Sequence, residues 1–542
     1  MDSPYEAVKG NSALYKIAAF VILSLGALLL AYRRAFTVCY ARDLPRLGKR
    51  EGVSWKAMKK RFQTDSLSVL NEVYENYSKK GQSVLIPKYG PHDEVILPPG
   101  SLPWIVKQPD HLLSSHASQN DAIQLEHSLG PKFAFDAWGG MLVKSDLTAV
   151  LETMGTIMLE QVGPAVDAAF GMDVTEWNEI DLFPACRLVT GKAVMGFTLG
   201  DSVEGRKLCI LLVFKSSSSC AVKKNVLICP SGMLEVAGEI GGARKVYRTY
   251  LGHFSKGVKS MPAKLKDLAD RFVPAHTERL QIIQSAAEKK AVPKDLLQML
   301  MEFAIKERTD EATSLEDMTK RLAVSNFGTI HQTVLTLHNI LLNVIATDKE
   351  FDTMSLLREE FSRVLGDDEN NWTRAKVAAM LRADSIARET LRAHTFLGLA
   401  MERIVVAPNG IVTEDGIPLQ KGTKIGILAH QMQHDPDLVK DPQRYDPFRF
   451  SRQREANPDL HNLSFVATSA ENLPFNHGKH ACPGRGLIDI QFKMLLSYIV
   501  KNYDLEFPES YEGKRPANTW FAEFGVPPIT AKIRVRRKEA SS

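Results

Sequence analysis

The chain has 542 residues, of which 44% are hydrophobic and 24% charged, ordinary values for a globular protein with a large core. Its formal net charge of +5 is small and dispersed, which argues against nucleic acid as a partner. The six cysteines are spread out and form no C-x-x-C pair. Composition therefore excludes a disulfide framework and a nucleic-acid-binding class, and it favours reduced thiols.

The N-terminal segment 13–32 is apolar except for Lys16. A helix of this length, at about 1.5 Å per residue, crosses the hydrocarbon core of a membrane. Arginine and lysine dominate the following residues 33–50, so the positive-inside rule predicts that the body of the protein is cytoplasmic. We predict a lumenal N-terminus at 1–12, a single-pass transmembrane anchor at 13–32, and a basic, proline-containing linker at 33–50.

The alternative for this segment is a cleaved signal peptide. Such a peptide ends in a cleavage site of small residues, whereas Tyr32-Arg33-Arg34 follows here. The sequence therefore favours a retained anchor.

Residues 51–542 contain no internal repeat and no convincing domain boundary. Short apolar segments at 83–86 and 94–97, separated by proline and glycine, predict small strands. Helical periodicity dominates from about residue 140 to residue 395. Later, 410–427 predicts strands and hairpins, 441–450 an extended coil, and 529–535 a final strand.

The longest predicted helix runs from Ser314 to Thr347 and begins with a capping box, Ser314-Leu-Glu-Asp317. It is apolar on more than one side, which predicts a central position. Polar residues interrupt it at 328–333, where they cost helix stability and so indicate a site. Taken alone, a histidine in this position is more often a satisfied core histidine, so His331 has that alternative.

A second helix is predicted over 373–393. It places Glu389 and Arg392 at positions i and i+3 on one face. On its own this pattern is more often a solvated surface ion pair.

The most informative stretch is the loop from Leu473 to Gly486. It holds one cysteine, Cys482, framed by Gly478 and Gly484 and followed by a predicted helix over 487–500. Glycine lets a backbone pass close to a flat group, and amides at a helix start stabilise a thiolate. The loop therefore predicts a metal cofactor held by one sulfur ligand.

Zinc is the competing interpretation of this loop, because His477, His480 and Cys482 are three candidate ligands. They lie too close together in sequence for an ordinary tetrahedral site, and no fourth ligand accompanies them.

Three motifs occur in a fixed order along the chain. The loop matches F-x-x-G-x-[R/H]-x-C-x-G from Phe475 to Gly484, E-x-x-R falls on Glu389–Arg392, and P-x-R-F falls on Pro447–Phe450. Together they resemble the cytochrome P450 family of haem-thiolate monooxygenases, and in particular membrane-anchored filamentous-fungal members of specialised metabolism. The resemblance covers residues 40 to 535, and its haem loop is highly specific.

The resemblance implies a mainly α fold with small β-sheets, forming a single large haem-thiolate catalytic domain over 51–542 after the transmembrane helix. It also implies haem b as the cofactor, with Cys482 as the axial iron ligand. Phe475 is then expected beside the sulfur, and His480 against a haem propionate. Gly478 and Gly484 are expected to let the loop approach the haem.

Two further sets of residues follow from the resemblance. Arg449 is expected to complete a structural ion-pair cluster with Glu389 and Arg392. On the distal side, the family pattern [A/G]-G-x-[D/E]-T-[T/S] aligns with 328–333 and makes His331, Gln332 and Thr333 the expected catalytic group. His331 stands at the acid position and can carry a proton near neutral pH. Gln332 replaces the usual threonine and can only orient groups by hydrogen bonds.

By this resemblance the protein is expected to oxidise, by hydroxylation or multi-step oxidation, a lipophilic small molecule. A fungal secondary metabolite such as a terpenoid, alkaloid or cyclic peptide is the expected class. NADPH-cytochrome reductase is expected to supply the electrons, with cytochrome b5 as a further candidate donor, and the expected location is the endoplasmic reticulum membrane. Two alternatives stay open: oxidative coupling or ring rearrangement without oxygen insertion, and a non-catalytic haem-binding protein.

Overall fold

The computed structural model describes residues 16–27, 38–88, 93–136, 138–199, 228–284, 295–366 and 372–539. Within them the protein is mainly helical with four small sheets, as the fold class predicted. The first helix, α1, covers 16–27. The remaining helices are α2 Trp55–Thr64, α3 Ser66–Asn76, α4 Leu102–Lys107, α5 Ser115–Ile123, α6 Leu125–Ser128, α7 Pro131–Phe135, α8 Trp138–Phe170, α9 Leu182–Leu199, α10 Ile228–Ile240, α11 Lys245–Gly252, α12 Lys256–Gln284, α13 Leu296–Glu307, α14 Thr309–Thr313, α15 Leu315–Phe351, α16 Thr353–Leu365, α17 Arg374–Ala379, α18 Leu381–Ala393, α19 Ala429–Gln433, α20 Ser451–Ala456 and α21 Arg485–Asn502.

The strands form a five-stranded sheet, a three-stranded sheet and two hairpins. They are β1 Val84–Pro87, β2 Asp93–Ile96, β3 Leu113–Ser114, β4 Asn178–Asp181, β5 Leu399–Val405, β6 Ile411–Val412, β7 Pro418–Leu419, β8 Lys424–Leu428, β9 Tyr503–Glu506, β10 Thr519–Phe521, β11 Phe524–Val526 and β12 Lys532–Arg537. The five-stranded sheet has the order β1-β2-β8-β5-β3, and only β2 and β8 pair in parallel. The strands predicted near 83–97 and at the end of the chain are confirmed.

Two apolar clusters form the main body. The larger one gathers side chains from α8, α9, α15, α18 and α21, while the smaller one lies under the five-stranded sheet and α2–α4. Apolar burial drives both clusters, because each buried side chain removes its surface from water. The candidate cofactor loop contributes to both, since Phe475 belongs to the larger cluster and Leu473 to the smaller.

Helix α15 is the long central helix that the sequence predicted. Ser314 caps it by accepting a hydrogen bond of 3.2 Å from the amide of Asp317. It runs for 37 residues and stays helical through 328–333. The polar residues at its centre therefore do not break it, because neighbouring elements pack against the remaining apolar faces.

The helix predicted over 373–393 is two helices, which corrects the sequence expectation. Met380, with a non-helical ψ of 71°, separates α17 from α18. The carboxylate of Glu360 on α16 accepts hydrogen bonds from the amides of Arg382 (2.7 Å) and Ala383 (2.9 Å). A buried side chain from another helix thus caps the first turn of α18, and this contact leaves no local sequence signal.

The described part of the predicted anchor is the helix α1, whose apolar side chains, including Phe20 and Leu23, are exposed. Within the residues that the structure describes, none of the helices is both long and apolar enough to cross a membrane. The rest of the predicted anchor, 13–15 and 28–32, lies outside the described residues, as do the predicted N-terminus 1–12 and residues 33–37 of the linker.

Candidate functional site

The loop around Cys482 is a folded turn that leads directly into α21. A short 3₁₀ helix covers Gly478–His480, and α21 begins at Arg485 with Gly484 as its N-cap. The amide of Cys482 donates a hydrogen bond of 2.8 Å to the carbonyl of Phe475. The thiol therefore stands just before a helix N-terminus, where the helix dipole favours negative charge.

Two opposing effects act on the pKa of the Cys482 thiol. Burial raises the pKa of the Cys482 thiol, while the amides of Gly484 and Arg485 and the Arg485 guanidinium act to lower it. In the described structure Cys482 is a free, partly buried cysteine. A buried thiolate needs a positively charged partner, so this sulfur is suited to bind a metal cation.

Two glycines shape the loop in different ways. Gly478 has φ +73°, and a Cβ there would stand 2.7 Å from Cγ1 of Val106, so the position requires glycine for both conformation and space. A Cβ at Gly484 would stand 4.0 Å from the Cys482 sulfur, its nearest neighbour. The space around Gly484 would therefore admit a Cβ without a clash.

Arg485 fixes the loop through hydrogen bonds to backbone carbonyls, a role that the motif did not predict. Its Nε donates to the carbonyl of Val466 (3.0 Å) and its Nη1 to the carbonyl of Cys482 (2.6 Å). Charge-assisted bonds of this kind are stronger than neutral ones. The backbone of the cysteine is thus fixed from both sides.

His480 has a protein partner in this structure. Its Nε2 lies 2.6 Å from Oδ1 of Asp110, and Nζ of Lys479 lies 3.3 Å from the same oxygen. Burial lowers the pKa of His480, and the Asp110 carboxylate opposes that effect. The residue was expected to meet a haem propionate, and it is already engaged with a carboxylate 370 positions earlier in the chain.

Arg403 on β5 is a second basic group near this point, and no motif indicated it. It is buried, and burial lowers its pKa to about 10, with the Asp110 and Glu402 carboxylates opposing that effect. Its charge also acts to lower the pKa of His480. Arg403, His480 and Lys479 are thus three basic residues around the Asp110 carboxylate, and we call them the basic edge.

Glu389, Arg392 and Arg449 meet in a buried cluster. Arg392 binds Glu389 through two hydrogen bonds of 2.7 and 2.8 Å, and Nε of Arg449 lies 3.1 Å from both Glu389 oxygens. Both arginines also donate to carbonyls of the 440–444 coil, which fixes that coil against α18. Glu389 is fully buried, so it is not part of a solvated surface pair.

On the distal side, α15 presents a polar face. Gly328 and Gln332, one turn apart, are exposed, and a Cβ on Gly328 would meet nothing within 4 Å. Thr333 is buried, and its hydroxyl has no hydrogen-bond partner within the described part of the chain. His331 packs against Phe327, with ring centroids 5.2 Å apart.

A cavity separates this face from the cysteine loop. Gln332, Thr333 and Thr336 line it from α15, whereas Phe475 and Ile488 line it from the loop and α21. Other walls come from the end of α18 and the residues after it, including Leu391, Thr395, Phe396 and Leu397. The cavity is therefore mainly apolar, with its polar groups concentrated on one helix.

These features fit a haem better than zinc. His477 Nδ1 is bonded to Thr468 (3.0 Å) and His480 to Asp110, and the described residues contain no cluster of three ligands for a metal ion. A haem needs one axial ligand, an apolar slot and basic groups for its propionates. Cys482, the cavity beside Phe475, and the basic edge with Arg403 meet those requirements.

The comparisons with known proteins agree with this class of site. The family model described as Cytochrome P450 matches residues 239–535. The chain is 37% identical over 539 residues to Cytochrome P450 monooxygenase pbrC of Penicillium brasilianum, covering 97% of both chains. It is 36% identical over 529 residues to Cytochrome P450 monooxygenase astC of Aspergillus terreus, covering 95% of both. It is 33% identical over 511 residues to Cytochrome P450 monooxygenase tenB of Beauveria bassiana, covering 92% of both.

The chain is therefore a haem-dependent monooxygenase of fungal type. It belongs to the cytochrome P450 family. Members of this family bind haem and receive electrons from a reductase. The predicted family, enzyme class and cofactor are confirmed.

Proposed function

We propose that the protein oxidises a lipophilic small molecule, by hydroxylation or multi-step oxidation, with Cys482 as the axial thiolate of haem b. The observation that carries the proposal is the position of Cys482 before α21, with its amide bonded to Phe475, a residue of the cavity wall. Haem bound there supplies one-electron redox chemistry and dioxygen activation, which a thiolate ligand favours.

The chain's own residues have the following roles in this proposal. Arg485 and the Phe475 carbonyl hold the Cys482 backbone, and Phe475 limits water near the sulfur. His480 and Arg403 offset propionate charge. His331, Gln332 and Thr333 are the proposed distal group: Gln332 and Thr333 line the cavity and position ligands, and His331 is the residue that can carry a proton.

The proposed substrate is a fungal secondary metabolite such as a terpenoid, alkaloid or cyclic peptide. The three relatives given above are named cytochrome P450 monooxygenases and come from fungi, and the cavity walls are mainly apolar. NADPH-cytochrome reductase is the proposed electron donor, with cytochrome b5 as an additional one.

We also propose that the segment 13–32 anchors the protein in the endoplasmic reticulum membrane, with the catalytic domain over 51–542 facing the cytoplasm. The exposed apolar side chains of α1 support this proposal, because water disfavours such a surface. The basic residues after it support the orientation.

The reaction is tested with microsomes that contain the protein and its reductase, supplied with NADPH, a fungal metabolite extract and labelled dioxygen. We expect one or more products whose mass rises by one labelled oxygen atom. Cys482→Ser should give none, whereas Cys39→Ser, which changes an exposed cysteine, should match the unaltered protein. Label found in water alone, with a product of lower hydrogen content, would identify the oxidative-coupling alternative, for which the replacement of threonine by Gln332 is the supporting observation.

A further inference from the structure

Arg515 is a partly buried arginine, and within the described part of the chain no carboxylate acts on its pKa. Its guanidinium donates to three asparagine oxygens instead: Nε to Asn343 Oδ1 (2.7 Å), and Nη2 to Asn339 Oδ1 (2.6 Å) and Asn518 Oδ1 (3.1 Å). Nη1 donates to the carbonyl of Pro516 (2.7 Å). These oxygens satisfy the donors, but because they are neutral they leave the positive charge uncompensated.

Three ionisable side chains interact electrostatically with Arg515, and all three are neutral at pH 7. Burial lowers the pKa of Arg515 to about 10, so the arginine itself stays charged. Burial raises the pKa of Tyr445, whereas burial together with the Arg515 charge lowers the pKa of His338 to about 4 and that of His394 well below 6.5. The Glu389 carboxylate also acts on Tyr445, but two arginines already bind it.

The asparagines connect this charge to two walls of the cavity beside the cysteine loop. On α15, Asn339 follows one turn after Thr336, which lines the cavity. The side-chain amide of Asn339 donates to the carbonyl of His394 (3.4 Å), and the next residue, Thr395, lines another wall. One asparagine side chain thus links Arg515 to residues next to both walls.

A structural role alone does not account for a charge at this position. A neutral donor could bond to the same amide oxygens without the cost of taking a charge out of water. A charge partly removed from water acts over a longer distance than one on the surface, because the local dielectric constant is lower. Reduction of a haem adds one electron to the iron and breaks no bond, so a fixed positive charge nearby favours the reduced state.

We propose that the uncompensated charge of Arg515 raises the reduction potential of the haem iron and so favours transfer of the first electron from the reductase. Arg515 acts through the electric field of its charge, while Asn339, Asn343 and Asn518 hold the guanidinium in place. This inference rests on the proposed function, because it requires a haem bound to Cys482.

The measurement is a spectroelectrochemical titration of the full-length holoprotein, which gives the midpoint potential of the haem without turnover. Arg515→Gln removes the charge and keeps a hydrogen-bonding side chain, so we expect it to lower the midpoint potential. At a fixed electrode potential, the ratio of reduced to oxidised haem should then fall several-fold. Arg515→Lys keeps the charge with fewer hydrogen bonds, and its potential should stay close to that of the unaltered protein.

Asn343→Asp tests the same charge without changing the arginine. The substitution keeps the shape of the side chain and places a carboxylate beside Nε of Arg515, so it should lower the potential as Arg515→Gln does. Lys514→Gln is the matched control. It removes a positive charge from the adjacent residue, which is exposed and screened by water, so the potential should not change.

The proposal is overturned if Arg515→Gln keeps the potential of the unaltered protein. It is also overturned if Arg515→Lys lowers the potential as much as Arg515→Gln does, because both results would leave Arg515 with only a structural role. If Arg515→Gln does not bind haem, Asn343→Asp decides, since an unchanged potential contradicts the proposal and a lowered one supports it. Absence of the thiolate-type absorbance band from the unaltered protein would instead refute the proposed function.

Discussion

At the scale of single residues, the cysteine loop depends on its two motif glycines as well as on its side chains. Gly478 turns the chain at φ +73° against Val106, whereas Gly484 has an ordinary helical conformation. The two motif positions therefore have glycine for different reasons. Gly478 is needed for backbone geometry, whereas Gly484 has room for a Cβ beside the sulfur.

Substituting alanine at these two positions separates the requirements. Gly478→Ala should lower the free energy of unfolding by about 1–3 kcal/mol, because the Cβ is strained at that φ and meets Val106 at 2.7 Å. Gly484→Ala should leave stability nearly unchanged. Chemical denaturation followed by circular dichroism measures both. Equal stability of the two variants would contradict the geometry of the loop.

The residue scale also shows what a sequence can and cannot predict. Cys482, Phe475 and the two glycines were identified because the whole turn is encoded by ten consecutive residues. Asp110 and Arg403 were not, since they reach His480 from elements far away in the chain. Likewise, the alignment named three distal residues, and only the packing of α15 distinguishes the cavity-lining pair from His331.

At the scale of elements, buried charges connect α18 to the coil that precedes α20. Arg392 and Arg449 both bind Glu389, and each also donates to carbonyls of that coil. Local spacing identified Glu389 and Arg392, but it predicted neither their burial nor the break at Met380. The burial depends on the coil, and the break depends on Glu360 of α16. Both contacts come from residues distant in sequence, so the local pattern does not indicate them.

Removing Arg392 should be severely destabilising. Arg392→Ala leaves Glu389 buried with one cation fewer, and we expect a loss of about 3–5 kcal/mol in unfolding free energy, together with reduced haem content. Arg444→Ala in the same coil is the control, because its pair with Glu350 is exposed and should contribute at most about 1 kcal/mol. Similar stabilities for the two variants would show that the cluster does not hold these elements together.

A second buried group of charges joins the five-stranded sheet to the β10–β11 hairpin. Nζ of Lys88 lies 3.0 Å from Glu94 and 2.7 Å from Glu523. Burial and the neighbouring Glu94 raise the pKa of Glu402 from 4.5 to about 7, while Lys88 and Lys424 oppose the shift. One lysine thus faces three carboxyl groups, which favours keeping Glu402 protonated.

The raised pKa predicts a pH-dependent contribution to stability. Since Glu402 binds its proton more tightly when folded, its contribution is complete below about pH 4.5 and is lost as the pH rises through about 7. Between pH 5 and pH 8, the free energy of unfolding should fall by about 1–3 kcal/mol less in Glu402→Gln than in the unaltered protein. Exposed Glu414→Gln is the control. Parallel stability curves for the unaltered protein and Glu402→Gln would contradict the assignment.

At the scale of the whole molecule, one helical body carries the site, and an apolar helix with exposed side chains precedes it. The sequence offers no convincing domain boundary within residues 51–542, and one large apolar cluster joins α8 to α21. Chain length does not reveal this, because 542 residues are also enough for several domains of ordinary size. The family motifs predicted the fold because they belong to α18, to the coil after it and to the cysteine loop, which the structure packs together with α15.

Deleting residues 1–37 tests the proposed anchor. The shortened protein should leave the membrane fraction of expressing cells and appear in the soluble fraction, because it lacks the apolar segment. Fractionation by ultracentrifugation with immunodetection measures this. An unaltered protein that is already soluble would refute the anchor, and a shortened one that stays membrane-bound would reveal a second contact surface.

The central claim is that Cys482 is the sulfur ligand of a haem. The most direct measurement is the absorbance spectrum of the reduced protein with carbon monoxide, for the unaltered protein, Cys482→Ser and the exposed-site control Cys39→Ser. We predict the red-shifted band of a thiolate-bound haem in the unaltered protein and the control, and its loss in Cys482→Ser. Retention of that band in Cys482→Ser would contradict the ligand assignment and the function built on it.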